Sequence, residues 1–432
     1  MTEKTEQFKV LDSRQMPVRI GIIIAVILVL IFGWLAIRWQ LGNMLAELAS
    51  PSDANAKEIA RLAVKLAPDD ALSNWLLADL TKDSKSGAAS TAEKDFENVV
   101  KLSPNDFRWW IELGRAHEQA ENFDAAEKAL VKAVNLAPSY TFPRWQLGNF
   151  YLRQNRSGEA FEELKKAAET NVIYRDQVIS IAWDYFGQDA LMLEQVAGNS
   201  PSVRAGLAKF YAAKERPEDS LRIWNTLSEE EKQSNSDAAN IIARALYDKR
   251  FYRQAIEFVR GLGIEPDAQS QTIQNAGFEK PIGDNREVFF GWRISPMEKM
   301  DIKLDPTQKS EGNRSLRVTF NGYVNPTLFN IYQIVTVEPS ARYRLSFRLR
   351  TENLKSGGTP QLEIYNAIDD KNIATGSSFS IGTNDWQQVK IDFTAPQNAE
   401  AVGLRTIRAF CGSECPIVGT FWYDDFKLEK LK

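Results

Sequence analysis

The feature that most constrains this chain is an apolar stretch at residues 20–37, which contains no charged side chain. As an α-helix that rises about 1.5 Å per residue, it would span roughly 27 Å, close to the hydrocarbon thickness of a bilayer. An arginine flanks it at each end, and Trp34 and Trp39 are typical of a membrane–water interface. The pattern predicts a single transmembrane helix at residues 20–38.

A cleaved signal peptide is the alternative interpretation of this stretch. The apolar core of a signal peptide would be shorter, and a cleavage site with small residues would follow it. Residues 41–45 do not supply such a site. We therefore predict an anchor that is retained.

Basic residues are distributed unevenly about the predicted span. Four precede it in residues 1–19, whereas only Arg38 follows it before Lys57. Because positive charge favours the cytoplasmic side, we expect residues 1–19 in the cytoplasm and the following domains across the membrane. This predicts a single-pass protein of a bacterial inner membrane with periplasmic C-terminal domains. The four basic residues are Lys4, Lys9, Arg14 and Arg19.

Composition limits the chemistry that the chain can perform. A length of 432 residues suggests two or three folding units. One histidine and two cysteines leave few groups for a zinc site or a general base. A formal net charge of -4 gives no electrostatic basis for nucleic-acid binding. We predict a protein that is not an enzyme, with no catalytic residues and no nucleic-acid partner.

Residues 50–263 have the pattern of successive helices with an internal repeat. Three helical runs close on prolines that are 36 and 34 residues apart, and Leu113-Gly114 is followed 34 residues later by Leu147-Gly148. This order of large, small and terminating residues resembles the tetratricopeptide repeat, in which helical hairpins stack into an all-α solenoid. A generic array of helical hairpins is the alternative.

The resemblance implies a surface for protein partners on the concave face of the solenoid, where extended segments of partners usually lie. The candidates are first-helix side chains that packing does not require, and a solvated polar face is the alternative. His117 stands where the repeat usually has tyrosine, and we expect it to pack between helices. The candidate groove residues are Arg108, Arg115, Glu118, Trp145, Asn149 and Arg153.

Beyond Pro266 the composition changes to Gly, Asn, Thr and alternating β-formers. Short stretches such as residues 315–320, 343–349 and 388–393 alternate apolar and polar side chains with period two. Six or more such stretches, separated by turn residues, predict an all-β sandwich at residues 268–432.

The order of motifs in this region carries a second resemblance. Residues 275–279 (Asn-Ala-Gly-Phe-Glu) open it, Gly291-Trp292 follows, and residues 422–428 (Trp-Tyr-Asp-Asp-Phe-Lys-Leu) close it. The set resembles a carbohydrate-binding module of the galactose-binding-like, jelly-roll kind.

That resemblance implies a structural calcium ion held by the opening Glu279 and by Asp424 or Asp425. Carboxylate oxygens suit Ca²⁺, but carbonyls and water must complete its six to eight ligands. Acidic residues in turns, without a metal, are the alternative, and we regard no cofactor as certain.

Sugar binding needs exposed aromatic faces that stack on the C–H surfaces of pyranose rings. The candidates are Tyr323, Phe329, Tyr332 and Tyr365, which lie outside the alternating core positions. The alternative for each of them is a place in the sandwich core. If they are exposed, we expect them to bind polysaccharide.

One predicted strand, residues 342–350, has arginines on one face and apolar residues on the other. Arg344 and Arg348 belong to the arginine face, which could lie along an anionic polysaccharide or a lipid headgroup. A solvated strand face that discourages aggregation is the alternative.

Cys411 and Cys415 are the two cysteines of the chain, placed at what reads as the tip of a β-hairpin. In an exported domain, this spacing predicts a disulfide.

Together these patterns predict a multidomain chain with a single transmembrane helix, an all-α tetratricopeptide solenoid and an all-β jelly-roll sandwich. Two binding domains without visible catalytic chemistry favour a scaffold for cell-envelope or exopolysaccharide assembly or export. An assembly factor for a pilus or a secretion machine, with both domains contacting proteins, is the alternative.

Overall fold

The computed structural model describes residues 15–82, 88–283 and 288–432. Most of the predicted cytoplasmic segment, residues 1–14, lies outside the described residues. The helices are α1 Met16–Leu48, α2 Ala56–Leu66, α3 Ala71–Thr81, α4 Ala88–Leu102, α5 Phe107–Gln119, α6 Phe123–Leu136, α7 Thr141–Arg153, α8 Ser157–Thr170, α9 Val172–Tyr185, α10 Ala190–Ala197, α11 Pro201–Ala213, α12 Pro217–Trp224, α13 Glu229–Ser234, α14 Ser236–Asp248 and α15 Tyr252–Gly261. The strands are β1 Arg293–Ile294, β2 Met300–Asp305, β3 Ser315–Tyr323, β4 Ile331–Thr336, β5 Arg342–Lys355, β6 Pro360–Asn366, β7 Asn372–Thr375, β8 Gly382–Thr394, β9 Ala401–Arg408 and β10 Ile417–Lys430.

The chain divides into two compact units, one ending at Gly198 and the other beginning at Asn199. The first unit contains α1 to α10, and the second contains α11 to α15 together with strands β1 to β10. The later helices therefore fold with the sandwich, although the composition of the sequence changes only near Pro266.

Helix α1 extends beyond the predicted span and continues without a break to Leu48. Among the described residues it is the one helix long and apolar enough to cross a membrane, and its most apolar part is not buried within the protein.

The last turns of α1 pack against α2. Gly42 and Ala46 are the buried residues of α1. A Cβ atom added at Gly42 would lie 2.6 Å from the Cβ of Ala67, so the two backbones approach too closely for any larger residue. Arg38 Nε also donates a hydrogen bond of 2.9 Å to the carbonyl of Leu66. The apolar helix is thus also the first packing partner of the helical repeats.

The glycine of each Leu-Gly pair lies where the two helices of a hairpin touch. A Cβ atom at Gly114 in α5 would lie 2.7 Å from Cγ of Leu130 in α6. The same distance separates a Cβ at Gly148 in α7 from Cγ of Leu164 in α8. One contact recurs in successive hairpins because one residue pattern recurs, and this confirms the predicted helical repeat.

A polar contact repeats at the same spacing. His117 Nδ1 lies 2.8 Å from Glu93 Oε1, and Tyr151 Oη donates to Glu127 Oε1 at 2.9 Å. His117 is buried and joins α5 to α4, as Tyr151 joins α7 to α6. The histidine has a packing role at this position.

The strands form two five-stranded antiparallel sheets. The first sheet has the order β1-β4-β9-β6-β7, and the second has the order β2-β3-β10-β5-β8. Aromatic side chains fill the space between them: Phe347 stacks on Phe426 with ring centroids 4.9 Å apart, and Tyr423 meets both. The sandwich confirms the fold class expected from the period-two alternation.

We predict that Gly42→Ala loosens the contact between α1 and α2, because the added methyl group meets Ala67. Overpacking of this kind costs about 1–3 kcal/mol. Hydrogen exchange of the α2 amides, measured on the full chain in a bilayer mimic, should become correspondingly faster. Gly33→Ala is the matched control on the same helix, since a Cβ there meets no atom within 4 Å. Equal exchange rates in the two variants would contradict the close approach.

Candidate functional site

The outer face of the first sheet, the face that points away from the sandwich core, carries a row of polar and aromatic side chains. Tyr332 on β4 is paired with Arg405 on β9, and Arg405 is paired with Glu363 on β6. Residues paired across antiparallel strands point to the same side of a sheet. The three side chains therefore lie next to one another.

Arg405 is the centre of this row. Its guanidinium group forms an ion pair with Glu363, whose Oε1 also accepts a 2.8 Å hydrogen bond from Asn372 Nδ2. The guanidinium carbon lies 4.6 Å from the ring centroid of Phe329 and 4.2 Å from that of Tyr365. Aromatic rings attract a guanidinium group at such distances, so both rings stabilise the positive charge of Arg405.

A surface cavity of about 350 Å³ lies over this ion pair. Two exposed rings border it, with Phe329 52% and Phe410 84% exposed. Arg405 and Glu363 contribute polar atoms to its floor, and Ile407 contributes an apolar surface. Apolar walls with a few fixed polar groups are the usual composition of a small-molecule site. Exposed rings can stack on the faces of a sugar, and the Arg–Glu pair beside them can form hydrogen bonds with its hydroxyl groups.

Of the four aromatic residues predicted for sugar binding, only Phe329 offers an exposed ring to the cavity. Tyr332 is half-buried, and its hydroxyl lies 3.4 Å from Arg293 Nη1. Tyr365 is 7% exposed, and this burial raises the pKa of its hydroxyl. Neither ring lines the cavity, so neither forms a platform for a sugar there.

The placement of Tyr323 outside the core was wrong. Its ring belongs to the sandwich core, and its hydroxyl donates a 2.7 Å hydrogen bond to the carbonyl of Thr327. The pairing of β3 with β10 shifts between Ile417 and Val418, next to Gly322, which has a φ of +83°. A bulge of this kind reverses the alternation of side chains, so Tyr323 points inward like Phe320.

The predicted arginines do not join these aromatic residues. Arg344 and Arg348 lie on β5, which belongs to the second sheet. Arg344 forms a two-pronged ion pair with Asp392, with distances of 2.6 and 2.7 Å. The arginine row is therefore separate from the cavity.

The two carboxylates that the resemblance assigns to calcium meet at one turn, residues 310–314. Glu279 Oε1 accepts the backbone N–H of Asn313 at 2.7 Å, and this hydrogen bond lowers the pKa of Glu279. Asp424 Oδ2 accepts the backbone N–H of Ser310 at 2.7 Å. Asp424 is fully buried, and its burial raises its pKa.

The Asp424 carboxylate accepts the backbone N–H groups of Ser310, Glu311 and Asp425, so these donors already satisfy part of it. Carboxylate oxygens are the ligands that calcium prefers. Asp425 forms an ion pair with Lys427 at 3.1 Å instead. Within the described part of the chain no three His, Cys, Asp or Glu side chains come together as a metal site. Backbone carbonyls of the turn and water would therefore have to complete the ligands around Glu279 and Asp424.

Cys411 and Cys415 form a disulfide with their Cα atoms 5.6 Å apart. They do not lie at a hairpin tip, because β9 and β10 belong to different sheets and the loop crosses between them. Arg408 Nη2 lies 3.0 Å from the sulfur of Cys415, which is buried. The disulfide closes the loop directly after Phe410 and so restricts the loop that carries this exposed ring.

The candidate groove residues of the repeats lie on two neighbouring first helices, α5 and α7. Glu118 on α5 accepts two hydrogen bonds from Arg153 on α7, at 2.6 and 2.8 Å. The Arg115 guanidinium carbon lies 6.0 Å from the ring centroid of Phe142 on α7. These contacts connect successive repeats across one face.

Of the other three groove candidates, Trp145 contacts a neighbouring helix, whereas Asn149 and Arg108 make local contacts. Trp145 packs against Tyr174 of α9 with ring centroids 5.3 Å apart, and its carbonyl accepts a hydrogen bond from Asn149. Arg108 pairs with Asp106 at the start of its own helix and remains largely exposed. The face therefore offers exposed cations and partly exposed rings.

Two family models match separate parts of the chain. Residues 84–148 match the family model described as a tetratricopeptide repeat. Residues 270–407 match the model described as a carbohydrate binding domain. The chain thus joins a tetratricopeptide-repeat segment to a carbohydrate-binding domain, as the two resemblances predicted, and both domains are of non-catalytic kinds.

Several solved structures are similar to parts of this chain. A structure of MamA from Desulfovibrio magneticus RS-1 is 25% identical, with a TM-score of 0.26, over 31% of this chain and 73% of that one. A carbohydrate-binding structure, described as CBM4, is 15% identical with a TM-score of 0.27, over 37% of this chain and 99% of that one. The xylan-binding CBM22-1 domain of Paenibacillus barcinonensis Xyn10C is 12% identical with a TM-score of 0.25, over 36% and 92%.

Two curated proteins also show similarity. The tRNA nuclease WapA of Bacillus subtilis is 26% identical over 221 residues, which are 48% of this chain and 8% of that protein. Superkiller protein 3 of Saccharomyces cerevisiae is 34% identical over 50 residues, or 12% of this chain and 4% of that protein. This chain therefore spans less than a tenth of either relative.

We predict that Glu363→Ala strongly destabilises the sandwich, because it leaves Arg405 without its anion in a partly buried position. Breaking such a pair costs about 3–5 kcal/mol. Asp392→Ala, which removes the carboxylate of the exposed pair with Arg344, should cost much less because solvent screens that pair. The free energies of unfolding from denaturant titrations test this difference, and equal losses would contradict it.

Proposed function

We propose that this protein is a membrane-anchored, non-catalytic scaffold of the bacterial cell envelope. Helix α1 holds it in the inner membrane, with the N-terminus in the cytoplasm and the other domains in the periplasm. The tetratricopeptide repeats bind protein partners, and the sandwich binds glycan during cell-envelope or exopolysaccharide assembly or export. The cavity between Phe329 and Phe410, over the Arg405–Glu363 pair, is the observation that carries the glycan part of the proposal.

The packing of α1 supports a retained anchor rather than a cleaved signal. Cleavage beyond Ala46 would remove Gly42 and Ala46, which cover Ala60, Ala63 and Ala67 of the first repeat. Those alanines are fully buried as the chain stands. Removal of the helix end would expose an apolar surface that the folded repeats need to keep dry.

The repeats support a protein-binding role through the face of α5 and α7. Arg108, Arg115 and Arg153 are exposed there, and Arg115 lies beside Phe142, which is 38% exposed. Cations next to an aromatic ring suit an acidic segment that also carries apolar side chains.

We predict that Phe329→Ala and Phe410→Ala each weaken glycan binding by about tenfold or more, because each removes a stacking surface. The full chain, held in lipid nanodiscs free of sugar detergents, is tested against xylan, mixed-linkage β-glucan and alginate. Arg344→Ala and Arg348→Ala are controls on the other sheet, and they should leave binding to neutral glycans unchanged.

Loss of binding in the arginine variants instead would place the site on the second sheet. No binding to any polymer by the folded protein would remove glycan from the proposal and favour an assembly factor that contacts only proteins.

We predict that calcium raises the melting temperature of the sandwich. An ion that binds only the folded state stabilises it by about 2.7 kcal/mol when present at roughly 100 times its dissociation constant. Asp424→Asn should abolish the rise, whereas Asp425→Asn should keep it, since that carboxylate pairs with Lys427. An equal rise in the Asp424 variant, or no rise in the wild type compared with EDTA, would contradict the site.

We predict that a reporter fused after Lys432 is active only if it functions in the periplasm. Alkaline phosphatase should be active in this fusion, and a cytoplasmic fluorescent protein should not mature. The opposite pattern would reverse the orientation inferred from the basic residues and exclude both the glycan and the envelope roles.

A further inference from the structure

The outer face of the first sheet is only half open. Ile334 on β4, Tyr365 on β6 and Ala401 on β9 point away from the sandwich core, yet they are 5%, 7% and 0% exposed. Side chains on the outer face of a sheet are buried only when another element covers them.

The hairpin of α14 and α15 reaches the covered half. Tyr252 Oη donates to the carbonyl of Ala367 at 3.3 Å, and Arg253 Nη2 donates to the carbonyl of Val337 at 3.2 Å. Arg250 forms an ion pair of 2.9 Å with Asp370. All three contacts lie at the end of the sheet beyond Tyr365.

The segment that connects the helices to β1 adds a second part of the cover. Tyr247 of α14 packs against Phe289 and Phe290, with ring centroids 5.7 and 5.5 Å apart. The guanidinium carbon of Arg293, on β1, lies 4.6 Å from the centroid of Tyr247. Arg293 is paired with Tyr332, so this cluster borders the row that contains Arg405.

The open half is the cavity over Arg405 and Glu363. On β6 the covered Tyr365 follows Glu363 of the cavity floor on the same face of the sheet. Residues 326–329 border the cavity beside β4, and Phe410 borders it after the end of β9. Its volume of about 350 Å³ is near the low end of the roughly 300–1,000 Å³ of small-molecule sites. A cavity of this size accommodates only a short piece of glycan.

We propose that this site binds the end of a glycan chain, or of a branch, and not the middle of a polymer. The proposal rests on the glycan-binding function proposed above. A chain that entered at Phe410 and continued past Tyr365 would meet Tyr252 and the Arg250–Asp370 pair. Passage would require the α14–α15 hairpin to leave the sheet, with loss of these contacts and exposure of Ile334 and Ala401.

The test compares intact polysaccharide with the same polysaccharide after partial hydrolysis, at equal mass. Hydrolysis multiplies chain ends but leaves the number of sugar units unchanged. The probes are xylan, mixed-linkage β-glucan and alginate, and the full chain in nanodiscs is titrated by calorimetry. A tenfold increase in chain ends should raise the number of sites per unit mass about tenfold for any glycan that binds.

Borohydride reduction of the hydrolysate separates the two kinds of chain end. Loss of binding after reduction assigns the site to reducing ends, and unchanged binding assigns it to non-reducing ends. Phe329→Ala should weaken the binding to chain ends by about tenfold or more, which links this binding to the cavity.

Two failures are distinguishable. Binding capacity that follows mass and does not change with hydrolysis would overturn the chain-end proposal while glycan binding stands. Absence of binding to intact and hydrolysed probes alike would overturn the proposed glycan function and this inference with it.

Discussion

Close backbone approach at small residues is the constraint on which the helical part of this protein depends. Gly42, Gly114 and Gly148 each lie where the next helix leaves no room for a Cβ atom. Such contacts fix the distance between helices, and the large side chains then fill the spaces that remain. The first of these contacts belongs to the apolar helix α1, so the same packing rule connects the predicted membrane span to the repeats.

The sandwich follows a different rule, because one sheet must serve two purposes. Its inner face completes the aromatic core, while its outer face is divided between the α14–α15 hairpin and a cavity. The Arg405–Glu363 pair lies at this division, held by Phe329 on one side and Tyr365 on the other. The charged pair is stabilised there by the two rings and by the hydrogen bond from Asn372.

Periodicity in the sequence predicted the helical repeat, the sandwich and the apolar helix, since each depends on a local pattern. The candidate site was harder to predict from the sequence. Arg405 was missed because its strand, β9, contains Gly403 and was not recognised as a strand, and Phe410 has no pattern around it. Tyr323 was misplaced by a bulge at Gly322, which no alternation rule foresees. The separation of Arg344 from the aromatic residues depends on sheet order, which only long-range pairing determines.

The unbroken course of α1 has a mechanical consequence. A helix that crosses a bilayer tilts until its apolar length matches the local hydrocarbon thickness. Because α1 continues past Arg38 into its contact with α2, its apolar segment and the segment that packs against α2 belong to one unbroken helix. In a bilayer, the angle of the first repeat to the membrane surface would therefore follow the thickness of the surrounding lipid.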